Sequence, residues 1–282
     1  MKTSTEISSS SRIVGMEKAI ELVAKAGFDA WDFSMFGMCK YDWGNKCLLE
    51  NDHPLAGNNY LAFVRKLRQI GEDNGIHCNQ SHAPFPTYCD QIRSYYKRAI
   101  ECTAEAGGKI CIIHPDNYKG AEENAEIYFE LLPFAKECGV KIATENMFNW
   151  NYGPAPAACS SPESFVEHIK AVNDDFFVAC LDIGHAELEG LQTSAPEMIY
   201  ALKDSLQALH IHDNDKKGDC HQIPFSMNID FDAVTKALKD IGYSGYLTLE
   251  AEAYLKAYDE TNILEGMKKM ADAARKLSEM MK

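Results

Sequence analysis

The stretch IYFELLPFAKECGVKIATEN, residues 127–146, reads as one complete structural unit. Ile127, Leu131, Phe134 and Cys138 follow steps of four, three and four, which makes one helix face apolar. Gly139 comes next and suits the left-handed residue that ends a helix. A short β-prone run follows over 141–146 and closes on Thr144-Glu145-Asn146. Pro133 conflicts with this pattern: it lacks an N–H and should kink or divide the helix before Gly139.

The same alternation recurs along the chain. β-prone runs fall at 3–9, 28–35, 76–83, 109–114, 141–146, 177–182, 208–212 and 245–250, eight in all. Helical stripes fill the gaps: Leu61, Val64, Leu67 and Ile70, then Val234, Leu238 and Ile241, then Ile263, Met267, Met270, Ala274 and Leu277. These stripes face the core. Ser194 with Glu197 fits a capping box, and Ser161 before Pro162 marks another helix start. Gly27, Gly75 and Gly108 precede strands in the way that Gly139 does. Eight strand–helix units in 282 residues predict an α/β chain forming a single (β/α)8 TIM barrel over 1–282, because such a barrel needs about 250 residues. The alternative is a doubly wound open sheet, but no G-x-G-x-x-G follows the first strand.

Composition narrows the function classes. The chain is 46% hydrophobic and 25% charged, ordinary for a globular protein, which excludes disorder, collagen and coiled coil. No apolar run approaches the ~20 residues of a membrane span, so no membrane partner is expected. The N-terminus, MKTSTEISSSS, lacks an apolar signal core, and a cytoplasmic protein is expected. The net charge is −14 with no basic stripe, so nucleic acid is not an expected partner. Ten cysteines include no C-x-x-C pair, and Cys102, Cys111, Cys138 and Cys180 sit in apolar stretches. They read as reduced core residues rather than a disulfide or zinc framework.

In a barrel the chemistry sits at the C-terminal ends of the strands. Strand three ends in Ser81-His82-Ala83-Pro84, strand four in His114-Pro115 and strand five in Thr144-Glu145-Asn146. Strand six ends in Asp182-Ile183-Gly184-His185, strand seven in His210-Ile211-His212-Asp213 and strand eight in Leu249-Glu250. Of nine histidines, five lie at these ends and His221 lies in the loop after strand seven. Only His53, His77 and His168 fall elsewhere. Carboxylates and imidazoles converging on one mouth would repel or stay unpaired without a cation. Glu145, Asp182, His210 and Glu250 supply three carboxylates and one imidazole, a set that suits one divalent ion: Mn²⁺, Mg²⁺, Co²⁺ or Zn²⁺.

Other signals are weak. There is no G-x-S-x-G, P-loop or H-E-x-x-H. Lys216-Lys217 reads as a solvated loop more than a phosphate clamp. Trp31, Phe33 and Phe36 could wall a sugar site or pack in the core. Residues 41–57 form a long polar segment with Trp43, His53 and Pro54, either a lid over the mouth or a surface loop.

Taken as an ordered set, these residues resemble the xylose-isomerase-like barrel superfamily, which includes sugar and sugar-phosphate isomerases and epimerases, and endonuclease IV. The pieces are Ser-His-Ala-Pro at 81–84, His114-Pro115, Thr-Glu-Asn at 144–146, Leu-Asp-Ile-Gly-His at 181–185 and His-Ile-His-Asp-Asn at 210–214. Asp219-Cys220-His221, Ile229-Asp230-Phe231 and Gly-Tyr-Ser-Gly-Tyr-Leu-Thr-Leu-Glu at 242–250 complete it. The resemblance implies that Glu145, Asp182, His210 and Glu250 hold the metal and that His82, His114 and His185 surround the substrate. In the endonuclease branch, positions like His82, His114, His185, Asp219 and His221 help to bind a zinc cluster, and all are present here. That branch typically carries Arg where this chain has Cys220, and its phosphodiester substrate suits a −14 chain poorly. Ketose 3-epimerases usually place an Arg soon after the strand-seven His, whereas this loop reads Asp-Asn-Asp-Lys-Lys. The resemblance thus leaves the sugar open.

The expected activity is isomerisation or epimerisation of a sugar or sugar phosphate by proton transfer next to a carbonyl. Glu145 and Glu250 are the expected acid/base pair as well as ligands, His185 would bind a substrate hydroxyl, and His221 is a further substrate-binding candidate. The alternatives are a zinc-dependent endonuclease IV-like hydrolase of abasic DNA and a non-catalytic sugar-binding barrel. Metal count, DNA binding and solvent-proton exchange separate them. Oligomeric state, a homo-oligomer included, is left open.

Overall fold

A computed structural model describes residues 1–150 and 152–282. Eight parallel strands form one sheet: β1 Thr3–Glu6, β2 Ala30–Ser34, β3 His77–His82, β4 Ile110–Ile112, β5 Lys141–Glu145, β6 Phe177–Asp182, β7 Leu206–His210 and β8 Leu247–Leu249. Each neighbours the next in sequence order, and β8 pairs with β1. The seam between β7 and β8 is closed by a parallel bridge from Ile211 to Leu249, with Ile211 N–H donating to Thr248 O at 2.9 Å and Glu250 N–H to Ile211 O at 3.0 Å. The sheet is therefore the expected (β/α)8 barrel. Between and after the strands run α1 Met16–Ala26, α2 Tyr60–Asp73, α3 Tyr96–Ala106, α4 Ala121–Cys138, α5 Pro162–Val172, α6 Ala195–Leu202, α7 Phe231–Asp240 and α8 Ile263–Met280.

Alternation along the strands sorts two cores. Cys111, Ile142, Ala179, Leu181 and Leu209 join the large cluster between barrel and helices. The residues one step out of phase, Ile112, Ala143, Val178, Cys180 and Ala208, form a small separate cluster on the sheet's other face, inside the barrel. The interior beside β1, β2, β3 and β8 is polar instead, with Ser4, Asp32, Asn79, Gln80 and Thr248 all buried.

Several local expectations change. The first run ends at Glu6, because Glu6 turns its carboxylate onto Ser9, accepting from its backbone N–H and hydroxyl, and a helix starts at Ser8. Strand seven stops at His210 and Ile211 only bridges, so His212 lies beyond the ladder. α4 runs unbroken through Pro133, which is exposed together with Phe129 four residues earlier, so water can satisfy the carbonyl that the proline leaves unpaired. The left-handed cap of α3 is Gly107, at φ 89°, and not Gly108. Ser161 and Ser194 do cap α5 and α6. All ten cysteines are unbridged. Trp31 and Phe33 are fully buried in an edge-to-face pair 5.3 Å apart, leaving Phe36 alone of the three at the mouth. Among the described residues, no helix is long and apolar enough to cross a membrane.

Candidate active site

Strands β5, β6 and β7 end in Glu145, Asp182 and His210, and Glu250 directly follows β8. Parallel register sets Asp182 beside His210. One ligand-type atom from each of the four lies within 4.8 Å of the others, and all four residues are buried. Sequence order and barrel closure alone bring them together.

Neighbouring groups lock each side chain. Asn146 clamps the end of β6: its Oδ1 accepts from Asp182 N–H at 2.7 Å and its Nδ2 donates to Asp182 O at 2.9 Å. Asp182 Oδ1 accepts from His185 N–H at 2.7 Å and so caps the short helix Ile183–Ala186. Asp182 Oδ2 is buried with no partner. His185 Nδ1 lies 2.9 Å from Asn146 O, and His221 Nδ1 lies 2.8 Å from Glu250 O. A carbonyl only accepts, so both rings donate through Nδ1 and turn Nε2 toward Asp219, at 3.6 and 2.9 Å.

Burial and the neighbouring charges set the ionisation of these groups. Burial pushes the Glu250 carboxyl well above the usual range, against the pull of His210 and His221. Burial also opposes charge on Glu145, but His210, with hydrogen bonds from His114 and His82, holds it well below that range. Asp182 overcomes its burial through His185 and His212 and falls to about 2. His185 is raised to about 10, Asp182 and Asp219 outweighing its burial. His114 goes the other way, to about 4, through burial and the nearby His82.

Two further groups flank the four. His82, His114 and Glu145 form one, with His114 Nε2 3.0 Å from Glu145 Oε2 and 2.8 Å from His82 Nε2. His185, His212, Asp219 and His221 form the other. Its members include two buried atoms without hydrogen bonds, His212 Nε2 and Asp219 Oδ1. His212 fits only because residue 184 is glycine: a Cβ there would overlap the His212 ring. Gly184→Ala should therefore destabilise the fold by about 1–3 kcal/mol, the usual cost of overpacking, read as a lower thermal midpoint. An unchanged midpoint would mean that His212 moves aside freely.

A cavity of about 360 Å³ opens above these groups. The predicted His82, His114, Glu145, His185, His221 and Glu250 all line it, whereas Asp182 and His210 lie beneath its surface. Phe36, Trp43, Phe85 and Phe148 wall it. Of the long segment at 41–57, only Trp43 reaches the cavity; His53 and Pro54 line a different one. Lys216 pairs with Glu187 at 3.0 Å and takes no part in the lining.

Sequence reasoning missed Asp32, a buried carboxylate on β2 that contacts His210. The signal was present, since an acid inside the run Ala30-Trp31-Asp32-Phe33-Ser34 needs a partner. It also missed the cavity walls Phe85, in a loop, and Phe148, which starts a three-residue strand Phe148–Trp150 paired with Pro154–Pro156, too short to leave a periodic pattern.

The comparisons agree with this architecture. Residues 20–277 match the xylose isomerase-like TIM barrel family. An uncharacterized protein of Methanocaldococcus jannaschii is 25% identical over 268 residues, covering 89% of this chain and 84% of its own. The crystal structure of a D-tagatose 3-epimerase-like protein superposes with a TM-score of 0.70 at 21% identity, covering 99% of both chains. That of the IOLI protein with a binding zinc atom gives 0.69 at 19% identity, covering 98% of this chain and 99% of the other.

Proposed function

The chain belongs to the xylose isomerase-like TIM barrel family, and from that premise we propose that it is a divalent-metal-dependent sugar or sugar-phosphate isomerase or epimerase. The observation that carries this reading is the pair of buried glutamates. Glu145 ends β5 and Glu250 follows β8, with β6 and β7 between them in the barrel, and they meet in one ligand group beneath one cavity. The solved neighbours, among them the D-tagatose 3-epimerase-like protein, support it as relatives in fold.

The residues fit a cation. Three carboxylates and an imidazole are a donor set for a hard or borderline divalent ion, and the partnerless Asp182 Oδ2 is a buried acceptor that a cation would satisfy. Glu145, Asp182, His210 and Glu250 would hold the ion, which could be Mn²⁺, Zn²⁺, Co²⁺ or Mg²⁺. Its chemistry would be Lewis acidity, making the carbon next to a carbonyl more acidic. Burial pushes the Glu250 carboxyl upward and a ligand must be deprotonated, so binding of an ion should weaken as the pH falls.

The chain's own groups do the rest. One glutamate takes the proton as the C–H bond breaks, and the electron pair forms the carbon–carbon double bond of an enediolate while the carbonyl electrons move onto oxygen. Return of a proton from the other glutamate to the opposite face of that carbon re-forms the carbonyl and inverts the centre; return to the adjacent carbon, with the hydroxyl proton passing from the oxygen that becomes the new carbonyl to the former carbonyl oxygen, isomerises the sugar. His82, His114, His185 and His221 reach the cavity surface and would bind hydroxyls, and the aromatic walls would cover the C–H faces of a ring. The cavity lies at the small end of the ~300–1,000 Å³ typical of ligand sites, suited to a single sugar.

One observation favours a second reading. The two flanking histidine–carboxylate groups are the sort that could carry two more ions, as a zinc-dependent phosphodiester hydrolase acting on abasic DNA requires. The −14 charge and Cys220 weigh against it. The test is turnover of ketoses, aldoses and their phosphates in deuterated water with added metal, run beside metal counting and an abasic-duplex incision assay. Deuterium at the carbon beside the carbonyl with one bound ion is the expected result. Three ions with efficient incision would replace the first reading by the second.

A further inference from the structure

Asp32 is fully buried, and an isolated carboxylate at such a position costs several kcal/mol unless its neighbours compensate. Its neighbours are specific. Between Trp31 and Asp32 the β2–β3 register slips, which sets Asp32 opposite Gln80. Asp32 Oδ2 then lies 2.9 Å from Gln80 Nε2 and 3.1 Å from His210 Nε2. On the other side of the imidazole, His210 Nδ1 lies 2.7 Å from Glu145 Oε1 and 3.5 Å from Glu250 Oε2. The two nitrogens are divided: Nδ1 faces the ligand group and Nε2 faces away from it.

The donor directions follow from the surroundings. Gln80 Nε2 also reaches the carbonyl of Leu209 at 3.3 Å, and a carbonyl only accepts, so this end of Gln80 is its NH₂. Its Oε1 receives Asn79 Nδ2 and Thr248 Oγ1, each at 3.3 Å, and Thr248 is held by Ser4 at 2.8 Å. Gln80 therefore donates to Asp32. The same oxygen, Oδ2, accepts again from the imidazole, so the proton in that contact belongs to His210 Nε2, while Asp32 Oδ1 is buried without a hydrogen-bond partner. An imidazole that binds a cation offers the lone pair of one nitrogen and keeps its proton on the other.

We propose that Asp32 is a positioning residue that holds His210 with its proton on Nε2, so that Nδ1 is the metal-binding atom. The buried chain Ser4–Thr248–Gln80–Asp32 extends that hold down through the barrel interior. This rests on the metal site of the proposed function and not on its substrate.

The experiment measures Zn²⁺ and Co²⁺ affinity by chelator competition for the full chain and for Asp32→Asn, with the thermal midpoint of each metal-free protein alongside. Loss of such a partner to a ligating histidine typically costs 10–100-fold in affinity, and about that loss is expected, with a shifted visible spectrum of the cobalt form. A purely structural Asp32 would move the midpoint and leave the affinity of the folded variant unchanged, which would overturn the proposal. Nitrogen-15 histidine spectra of the zinc-loaded unmutated chain decide independently, should Asp32→Asn fail to fold. They should show His210 protonated at Nε2 and metal-bound at Nδ1, and the reverse assignment would overturn the proposal. Should the unmutated chain bind no ion that His210→Ala abolishes, the metal site of the proposed function falls and this inference with it. Equal affinity in Asp32→Asn would remove this inference alone.

Discussion

Glu250→Gln should cut turnover, and the entry of solvent deuterium at the carbon beside the carbonyl, by about 10²–10⁴-fold, the usual worth of a positioned proton-transfer group. Glu250 is buried, lines the cavity and has its backbone carbonyl tied to His221, so the amide should occupy the same place without exchanging a proton. Its oxygen is 3.5 Å from His210 Nδ1 and belongs to the ligand group, so metal occupancy must be measured in the same sample. Glu145→Gln should cost a similar factor, and the double variant little more, because base and acid serve one proton path. The labelled carbon would separate isomerisation from epimerisation. Turnover of a true substrate with no label would indicate a hydride shift and would demote both glutamates to ligands.

How much of this was legible in the sequence depends on the range of the signal. Helix stripes and strand ends are local. The run Ile127 to Cys138, its glycine and the strand ending in Glu145 could be read in place, and α4 and β5 follow that reading. The barrel then brings distant ends together by topology, so Glu145, Asp182, His210 and Glu250 could be grouped without knowing any contact. What was illegible depends on pairing across strands. Asp32 meets Gln80 because of a one-residue slip in register, and no periodicity within β2 records that slip. The early end of β1 comes from Glu6 turning back onto Ser9, a side-chain event that β-propensity does not contain. Gly184 looked like part of a motif; its necessity appears only once the His212 ring lies over it.

Asp182→Ala should leave the barrel folded and reduce bound metal from one ion per chain to none. The carboxylate has two separable duties. Oδ1 accepts the His185 N–H and caps the helix Ile183–Ala186, a contact whose loss typically costs 0.5–2 kcal/mol. Oδ2 is buried with no hydrogen-bond partner, on the residue that joins the four-residue ligand group to the neighbouring His185 and His212. Removing the carboxylate takes away the strongest counter-charge of His185, so that imidazole should lose much of its elevation toward 10. The alanine variant should therefore melt somewhat lower for a reason unrelated to metal. Asp182→Asn separates the two effects, because an asparagine oxygen can still accept the His185 N–H while the negative charge is gone. The expected pattern is a thermal midpoint restored toward that of the unmutated protein together with metal binding still lost. If elemental analysis found the alanine variant with unchanged metal content, Asp182 would leave the ligand set, and its buried Oδ2 would need some other partner.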